Sequence, residues 1–546
     1  MDLSFVKVIK INRKEGIMNS ELKRLESLLR EGKISRREFI KKTAILSLAA
    51  TRVPGLFSGT VHAATPKKGG KFRLGVSLGD TTKSLDPATF TDDGDVIVNW
   101  CLRNNLVEVD YKGDAIPELA ESWENSADLK TWIFRLRKGV EFHNGKTMES
   151  ADVINSLLYH SKAESKSGSK SILKSVIEIK ADGKDKVIFR LDGGSADFPY
   201  ILADYRLTIQ PAGTVDFGKG VGTGGYSLVS FEPGVKTIAK RFKNYFKTNR
   251  AHFDEIEILS ILDMSARTNA LRSKQVDAIN ACDYKTIDLL GKLPGIQTII
   301  STGTRHYTYP MLTNTPPYDN NDVRLALKYA IDREQILKTV FRGYGRLGND
   351  HPIGPSQRFF ASELSQRQYD PEKARFHLKK AGMEGHKFNL VTSVAVGDVS
   401  VDSALLYKEH AKKAGIDIEV TKASGDGYWK EVWIKKPWTS GRWAGRATAD
   451  WMFSTAYATG TSFNETLWNH ERFNKLLVQA RAELDNAKRW EMYVEMQRIV
   501  RDEGGAVIFI FPSDLHAASS NIKYETLSGN YQMDGNKCCE RWWFEG

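Results

Sequence analysis

The chain has 546 residues, with 79 Lys+Arg against 67 Asp+Glu, a formal net charge of +12 and 41% hydrophobic residues. That length exceeds one hydrophobic core and calls for two or three compact units. The charge is uneven: 13 basic and 6 acidic residues fall within positions 1–63, leaving about +5 on the 483 that follow. So mild a surplus, with no Lys/Arg block interleaved with aromatics, argues against nucleic acid as a partner.

In chain order, S-R-R-E-F-I-K (35–41) stands before Lys42 and the short apolar run T-A-I-L-S-L-A-A, which Arg52 and Pro54 end. The run falls short of the ~18–20 apolar residues that span a bilayer, and its order is that of an export leader. The pair Arg36-Arg37 resembles a twin-arginine signal, implying export through that machinery. Cleavage is expected after Ala63, with Ala64 as the alternative; translation starts at Met1 or Met18.

K-F-R-L-G-V (71–76), T-W-I-F-R-L-R (131–137) and K-V-I-F-R-L (186–191) read as strands, the last two alternating with a period of two. Residues 150–160 read as a short helix and E-S-K-S-G-S-K-S (164–171) as a solvated loop. Asp322 opens a helix whose apolar side runs through Val323, Leu327, Ala330, Ile331, Leu337 and Val340 to a stop at Gly343. D-P-E-K-A-R-F-H-L-K-K-A-G (370–382) carries an Asp cap, a first-turn proline and a terminal glycine. A longer helical region spans about 471–502. A-V-I-F-I-F-P (506–512) reads as a buried strand with a proline at its end. T-N-T-P-P-Y-D-N-N (313–321) marks a break near a boundary at 300–320. Interleaved helices and strands define an α/β chain.

Three stretches imitate catalytic motifs. G-V-S-L-G (75–79) has the nucleophile-elbow spacing, but a loop follows where a helix is required. N-G-K-T (144–147) lacks the first glycine of a phosphate loop, since Val140 occupies that place. G-T-G-G-Y (222–226) has no lysine and reads as a backbone turn beside a cleft. The eleven histidines do not fall at metal-ligand spacing with a carboxylate. No catalytic residue, metal or cofactor is expected. Cys101, Cys282, Cys538 and Cys539 allow a bridge in an oxidising compartment, but spacing does not choose a pair.

Six stretches together resemble the large extracytoplasmic solute-binding proteins of peptide-type (family 5) ABC importers. They are S-L-D-P-A (84–88); I-P-E-L-A-E-S-W-E (116–124); W-I-F-R-L-R-K-G-V-E-F-H-N-G-K (132–146) with A-D-V (151–153); G-T-G-G-Y-S-L (222–228); V-R-L-A-L-K-Y-A-I-D-R-E-Q-I (323–336); and Y-D-P-E-K-A-R-F-H-L-K-K-A-G (369–382). The resemblance implies a two-lobed α/β periplasmic binding protein fold of the large cluster C type. Lobe one covers 65–305 plus 508–546, with an extra subdomain at about 97–215, and lobe two covers 306–507. It implies a monomeric periplasmic receptor that hands a solute to an inner-membrane ABC permease and catalyses nothing. The competing reading is an exported hydrolase of a small acyl or glycosidic substrate, which needs a suitably placed carboxylate pair or nucleophile.

Half of the twelve tryptophans lie in 429–468, centred on W-T-S-G-R-W-A-G-R-A-T-A-D-W (438–451). Aromatic walls with a few polar groups suit a small-molecule cleft, and arginine forks suit carboxylates. In peptide binders of the resembled family, an aspartate after a lobe-two turn neutralises the peptide amine. Laid on Trp443, its place falls on Arg446, with Asp450 four residues later. The expected ligand is therefore a peptide or amino-acid derivative bearing a carboxylate, opine-like in charge. Arg442, Trp438, Trp443, Arg446, Asp450 and Trp451 are the candidate contacts. Tyr457, Asn464 and Trp468 form a second group, and Asp93 and Tyr226 stand on the facing lobe.

Overall fold

The computed structural model describes residues 66–77 and 81–546, apart from positions 163, 166 and 171. The expected leader, with Arg36, Arg37 and the Ala63 cleavage point, lies outside the described residues.

Ten strands form the main sheet: β1 (Lys71–Val76), β2 (Tyr226–Glu232), β3 (Lys236–Arg241), β4 (Glu255–Ser260), β5 (Ala278–Ile279), β6 (Ile296–Thr302), β7 (His306–Pro310), β8 (Gly345–Leu347), β9 (Gly441–Trp443) and β10 (Ala506–Ser519). Their order is β9-β7-β10-β5-β1-β4-β3-β2, with β6 and β8 also paired to β10. β1 lies parallel to β4 and β5, and the pairings to β10 are antiparallel.

The fold turns on β10. Its first part, from Ala506 to Pro512, pairs with β7 and β8, whereas Ser513–Ser519 pairs with β6. The chain between β6 and β7, residues 303–305, makes the same passage in the opposite direction. Two connections therefore run side by side from one half of the sheet to the other. The sequence pattern ends this strand at Pro512; instead the strand continues to Ser519. Proline donates no ladder hydrogen bond, and Pro512 sits where β10 changes partners, so the missing N–H falls at the seam.

β10 is apolar from Ala506 to Pro512, and buried along almost its whole length, because both faces are covered. Val507 and Phe509 enter one core of the second half, packed with Tyr309, Tyr407 and Trp438. Ala506, Ile508 and Phe511 enter another, with Phe453, Phe473 and Tyr493. Beyond the seam, Leu515 and Ala517 join a first-half core with Leu271 and Ile287, and Ala518 joins one with Phe72 and Trp542. A separate four-stranded antiparallel sheet, in the order Ala120–Asn125, Thr131–Leu136, Lys186–Leu191 and Val176–Ala181, builds its own core around Phe134, Phe189 and Phe198.

Cap chemistry decides the helices. Asp370 accepts from the Lys373 amide and Pro371 occupies the first turn, as expected. The single helix expected from Asp322 is two, Asn321–Tyr329 and Arg333–Thr339, because the Asp332 carboxylate accepts from the Gln335 amide and starts a second helix. Asp485 does the same between Glu471–Arg481 and Asn486–Glu503. No helix among the described residues is long and apolar enough to cross a membrane.

One buried charge cluster braces the start of β10. Asp350 accepts from Arg333 at 2.6 Å, from Arg367 at 2.8 Å and from the Ile508 amide at 3.1 Å. Burial opposes its charge, but the two guanidiniums hold the carboxyl below its ordinary value. Asp350→Ala leaves the buried Arg333 without its anion and Arg367 with Asp502 alone, a loss of about 3–5 kcal/mol. Chemical denaturation should show it as a lower midpoint.

Candidate functional site: a cleft at the crossing strands

Where the two connections pass, the surface opens into a cleft lined by residues of both halves. Its main space is about 860 Å³, and a neighbouring space of about 310 Å³ continues it. The two share Asp92, Asp93, Arg305, Arg442, Asp514 and Gln532.

Each of these side chains has a structural reason for its place. Asp92 caps the helix Asp93–Leu102, accepting from the Asp95 amide, and pairs with Lys83 at 2.6 Å. That leaves Asp93 in the first turn, where its carboxylate accepts from the Asn536 amide group at 2.8 Å. Arg305 and Asp514 stand one on each connection and form an ion pair at 2.6 Å. Burial pushes the Asp514 carboxyl up to about 6 despite Arg305. Arg442 and Trp443 are neighbours on β9, so the period-two alternation of a strand sends them to opposite sides. Arg442 is exposed toward the cleft and Trp443 is buried in a core.

A third, small chamber of about 30 Å³ joins the others through Gly445, Asn530 and Tyr531. Trp100, Tyr200, Trp451 and Tyr531 give it an aromatic wall, and Arg446 enters it. The Arg446 guanidinium lies 5.7 Å from the Trp443 ring and 5.6 Å from the Trp451 ring, a cation–π arrangement. It donates to the Ala444 carbonyl at 2.8 Å. Lys537 and Arg541 also reach this chamber, but Glu118 holds the first at 3.0 Å and Glu108 the second at 2.6 Å.

The structure brings Asp93, Arg442, Arg446 and Trp451 to one cleft and takes the other candidates elsewhere. Trp438 is fully buried among Tyr318, Phe388 and Tyr407. Tyr457 and Trp468 are core residues, and Asn464 bonds the Trp468 backbone. Asp450 pairs with Arg481 at 3.1 Å, and burial pushes it up to about 6. Tyr226 is buried and donates to the Cys539 carbonyl at 2.9 Å. The glycines before it are expected to turn beside a cleft. Instead, a Cβ at Gly222 or Gly224 would meet the backbone of Leu102 or Cys101, so this turn packs on a helix end. The aromatic wall is thus mostly core, because large flat side chains are worth more buried than exposed. Sequence reasoning missed Arg305, Asp514, Tyr531 and Gln532, which stand on connections and loops without a local pattern.

The four cysteines are buried free thiols, and Cys101, Cys538 and Cys539 share one core. Among the described residues no group of three or more His, Cys, Asp and Glu side chains is placed to hold a metal ion.

On the far rim, the two halves meet through buried polar contacts. Asp197, beside the four-stranded sheet, pairs with Arg489 of the helix Asn486–Glu503 at 2.8 Å. Arg489 also lies 5.1 Å from the Phe359 ring, and the Ala196 amide donates to the Arg481 carbonyl at 2.8 Å.

A cleft shared by two halves, joined by two antiparallel connections and lined by fixed charges and aromatic rings, defines a protein that encloses a small solute. The comparisons with known proteins agree. Residues 114–465 match the profile "Bacterial extracellular solute-binding proteins, family 5 Middle", and the chain belongs to that family. It is 25% identical over 477 residues to the glutathione-binding protein GsiB of Pectobacterium atrosepticum, covering 84% of this chain and 91% of that one. Identity to the GsiB of Escherichia coli O6:K15:H31 is 26% over 466 residues, covering 82% and 90%. The solved structure of AgaA from A. tumefacien R10, in complex with agropinic acid, superposes with a TM-score of 0.73 at 25% identity, covering 87% and 99%.

Beneath β9, Glu465 is buried with one carboxylate oxygen accepting from the Trp433 indole at 3.0 Å. Burial pushes its carboxyl up to about 7. A raised carboxyl binds its proton more tightly in the folded state, so its stability contribution is lost as pH rises from about 4.5 to 7. Glu465→Gln should therefore melt progressively higher than the parent as pH rises from 5 to 8, read by thermal unfolding at each pH.

Proposed function

We propose that the chain is the periplasmic receptor of an ABC importer, capturing a peptide or amino-acid-derived solute that bears a carboxylate and delivering it to an inner-membrane permease. The observation that carries this reading is the charged cleft at the double crossing, in a chain of family 5. On this reading 65–305 plus 508–546 act as one lobe, with the 97–215 subdomain, and 306–507 as the other. The leader with Arg36 and Arg37 sends the chain through the twin-arginine machinery and is removed after Ala63. The mature protein works as a monomer.

Capture needs no bond-making. A solute touching both lobes favours the closed arrangement by the contacts it makes only there. The GsiB relatives are described as glutathione-binding and AgaA was solved with agropinic acid, and both descriptions support an amino-acid-derived ligand here. Arg442 and Arg446, which have no carboxylate partner among the described residues, support an acidic one.

Native mass spectrometry of the mature chain should find a small solute that leaves on denaturation. That solute should raise the melting temperature on re-addition and be recovered unchanged. An apo protein that converts the solute to product overturns the receptor reading.

The Asp197–Arg489 pair is the clasp of the closed form. Truncating one partner of a buried pair acts mainly on the off-rate. Asp197→Asn should speed release of the bound solute about tenfold or more in stopped-flow tryptophan fluorescence. An unchanged off-rate removes the clasp from the mechanism.

A further inference from the structure

The helix Tyr428–Glu431, the turn after it and the loop 458–467 form a surface that neither the cores nor the cleft account for. The Trp433 indole is pinned inward on Glu465, and its ring carries Trp429 at 5.6 Å and Phe463 at 6.3 Å. Trp429, Phe463 and Leu467 of the same loop are 41%, 53% and 41% exposed. None of the three lines the cleft or its aromatic chamber. The exposed aromatic side chains among the described residues are Tyr111, Phe376, Trp429, Phe463 and Trp490, and only Trp429 and Phe463 meet on a shared third ring. Single exposed apolar groups are ordinary, whereas a cluster rimmed by polar residues marks a contact surface.

The backbone beneath this surface is strained. Ile434 and Leu467 take left-handed φ angles of +59° and +51°, a region that disfavours branched and bulky residues. Glycine or asparagine would relieve both positions, and a polar side chain would suit the exposed position 467 better. Folding therefore explains neither choice, and strain of this kind gathers at functional segments.

Charge narrows the occupant. Segment 428–438 holds Lys430, Lys435 and Lys436 against Glu431 alone, and the loop 458–467 adds only the buried Glu465. Ahead of the segment, Lys422 and Asp426 offset each other in number. Lys430 pairs with Glu431 at 3.4 Å, while the exposed Lys435 and Lys436 have no ion-pair partner among the described residues. The complement of an apolar surface edged with positive charge is apolar and anionic. A second copy of the chain does not fit, because a two-fold contact sets the same lysines against one another. Residues 1–63, with 13 basic and 6 acidic side chains, carry the same sign. Protein interfaces favour arginine and are poor in lysine, and here every cation is a lysine. Indole rings at headgroup depth, with lysine stems reaching toward phosphates, are the pattern of a membrane interface.

We infer that this surface docks the protein on an anionic lipid bilayer, with Trp429, Phe463 and Leu467 entering the headgroup region and Lys435 and Lys436 meeting lipid phosphates. The assignment concerns the surface alone and holds whatever solute the cleft takes.

Co-sedimentation of the mature protein with vesicles of equal parts phosphatidylglycerol and phosphatidylcholine tests it. Binding should be at least about twentyfold tighter than to phosphatidylcholine alone and should fall as salt rises. Lys435→Gln with Lys436→Gln should weaken it about twentyfold, and Trp429→Ser with Phe463→Ser about tenfold or more. Phe376→Ser, which removes an exposed aromatic elsewhere, should change nothing. Every variant should keep the parent's melting temperature and solute affinity; the lysine pair, being exposed, tests the surface apart from any packing effect at the aromatic positions. No binding at low salt, equal binding to both vesicle types, or an equal loss from Phe376→Ser overturns the assignment. Binding confined to native inner-membrane vesicles and abolished by treating those vesicles with protease makes the partner a protein and overturns it too. A concentration-dependent dimer that Trp429→Ser dissolves makes the partner a second copy, with the same consequence.

Discussion

The structure depends on one strand that belongs to two bodies. β10 hydrogen-bonds to β7 and β8 before its seam and to β6 beyond it, and its side chains enter four separate cores. The backbone passes the seam without leaving the ladder, so one continuous strand ties the two halves together. The second connection, 303–305, runs beside it. The Arg305–Asp514 pair links the two passages at the floor of the cleft.

The same constraint explains which parts of the molecule are legible in its sequence. Strands with one buried face, such as Thr131–Leu136 and Lys186–Leu191, declare themselves by alternation, and a helix with an Asp cap and first-turn proline, such as Pro371–Lys380, declares its start. The splits at Asp332 and Asp485 are visible in principle as further caps, but the apolar periodicity runs through them and hides the break. β10 reads as a buried strand that stops too early, since proline normally ends a central strand and only the change of partners makes it tolerable here.

The candidate site is half legible. Arg442, Arg446 and Trp451 stand out through composition, whereas Asp93 is picked only as a residue of the facing lobe. The two-residue period of a strand, applied to G-R-W (441–443), separates Arg442 from Trp443 on pattern alone. Trp438, Tyr457, Trp468 and Tyr226 are drawn in by the same composition, yet an aromatic-rich segment serves a core as readily as a cleft. Arg305 and Asp514 are beyond reach for a different reason. They are about two hundred residues apart in the chain, and only the antiparallel passage of two connections makes them partners.

The early part of the polypeptide cannot complete its interior alone. Phe72, Leu74 and Ile256 pack against Ala518, Met533, Cys539 and Trp542, so the chain must be made through residue 542 before that interior closes. Until then the first three hundred residues expose an unfinished apolar surface, the situation in which nascent chains recruit chaperones or aggregate. Loss of the segment 518–542 would thus open the first-made half, making that segment the gatekeeper of maturation.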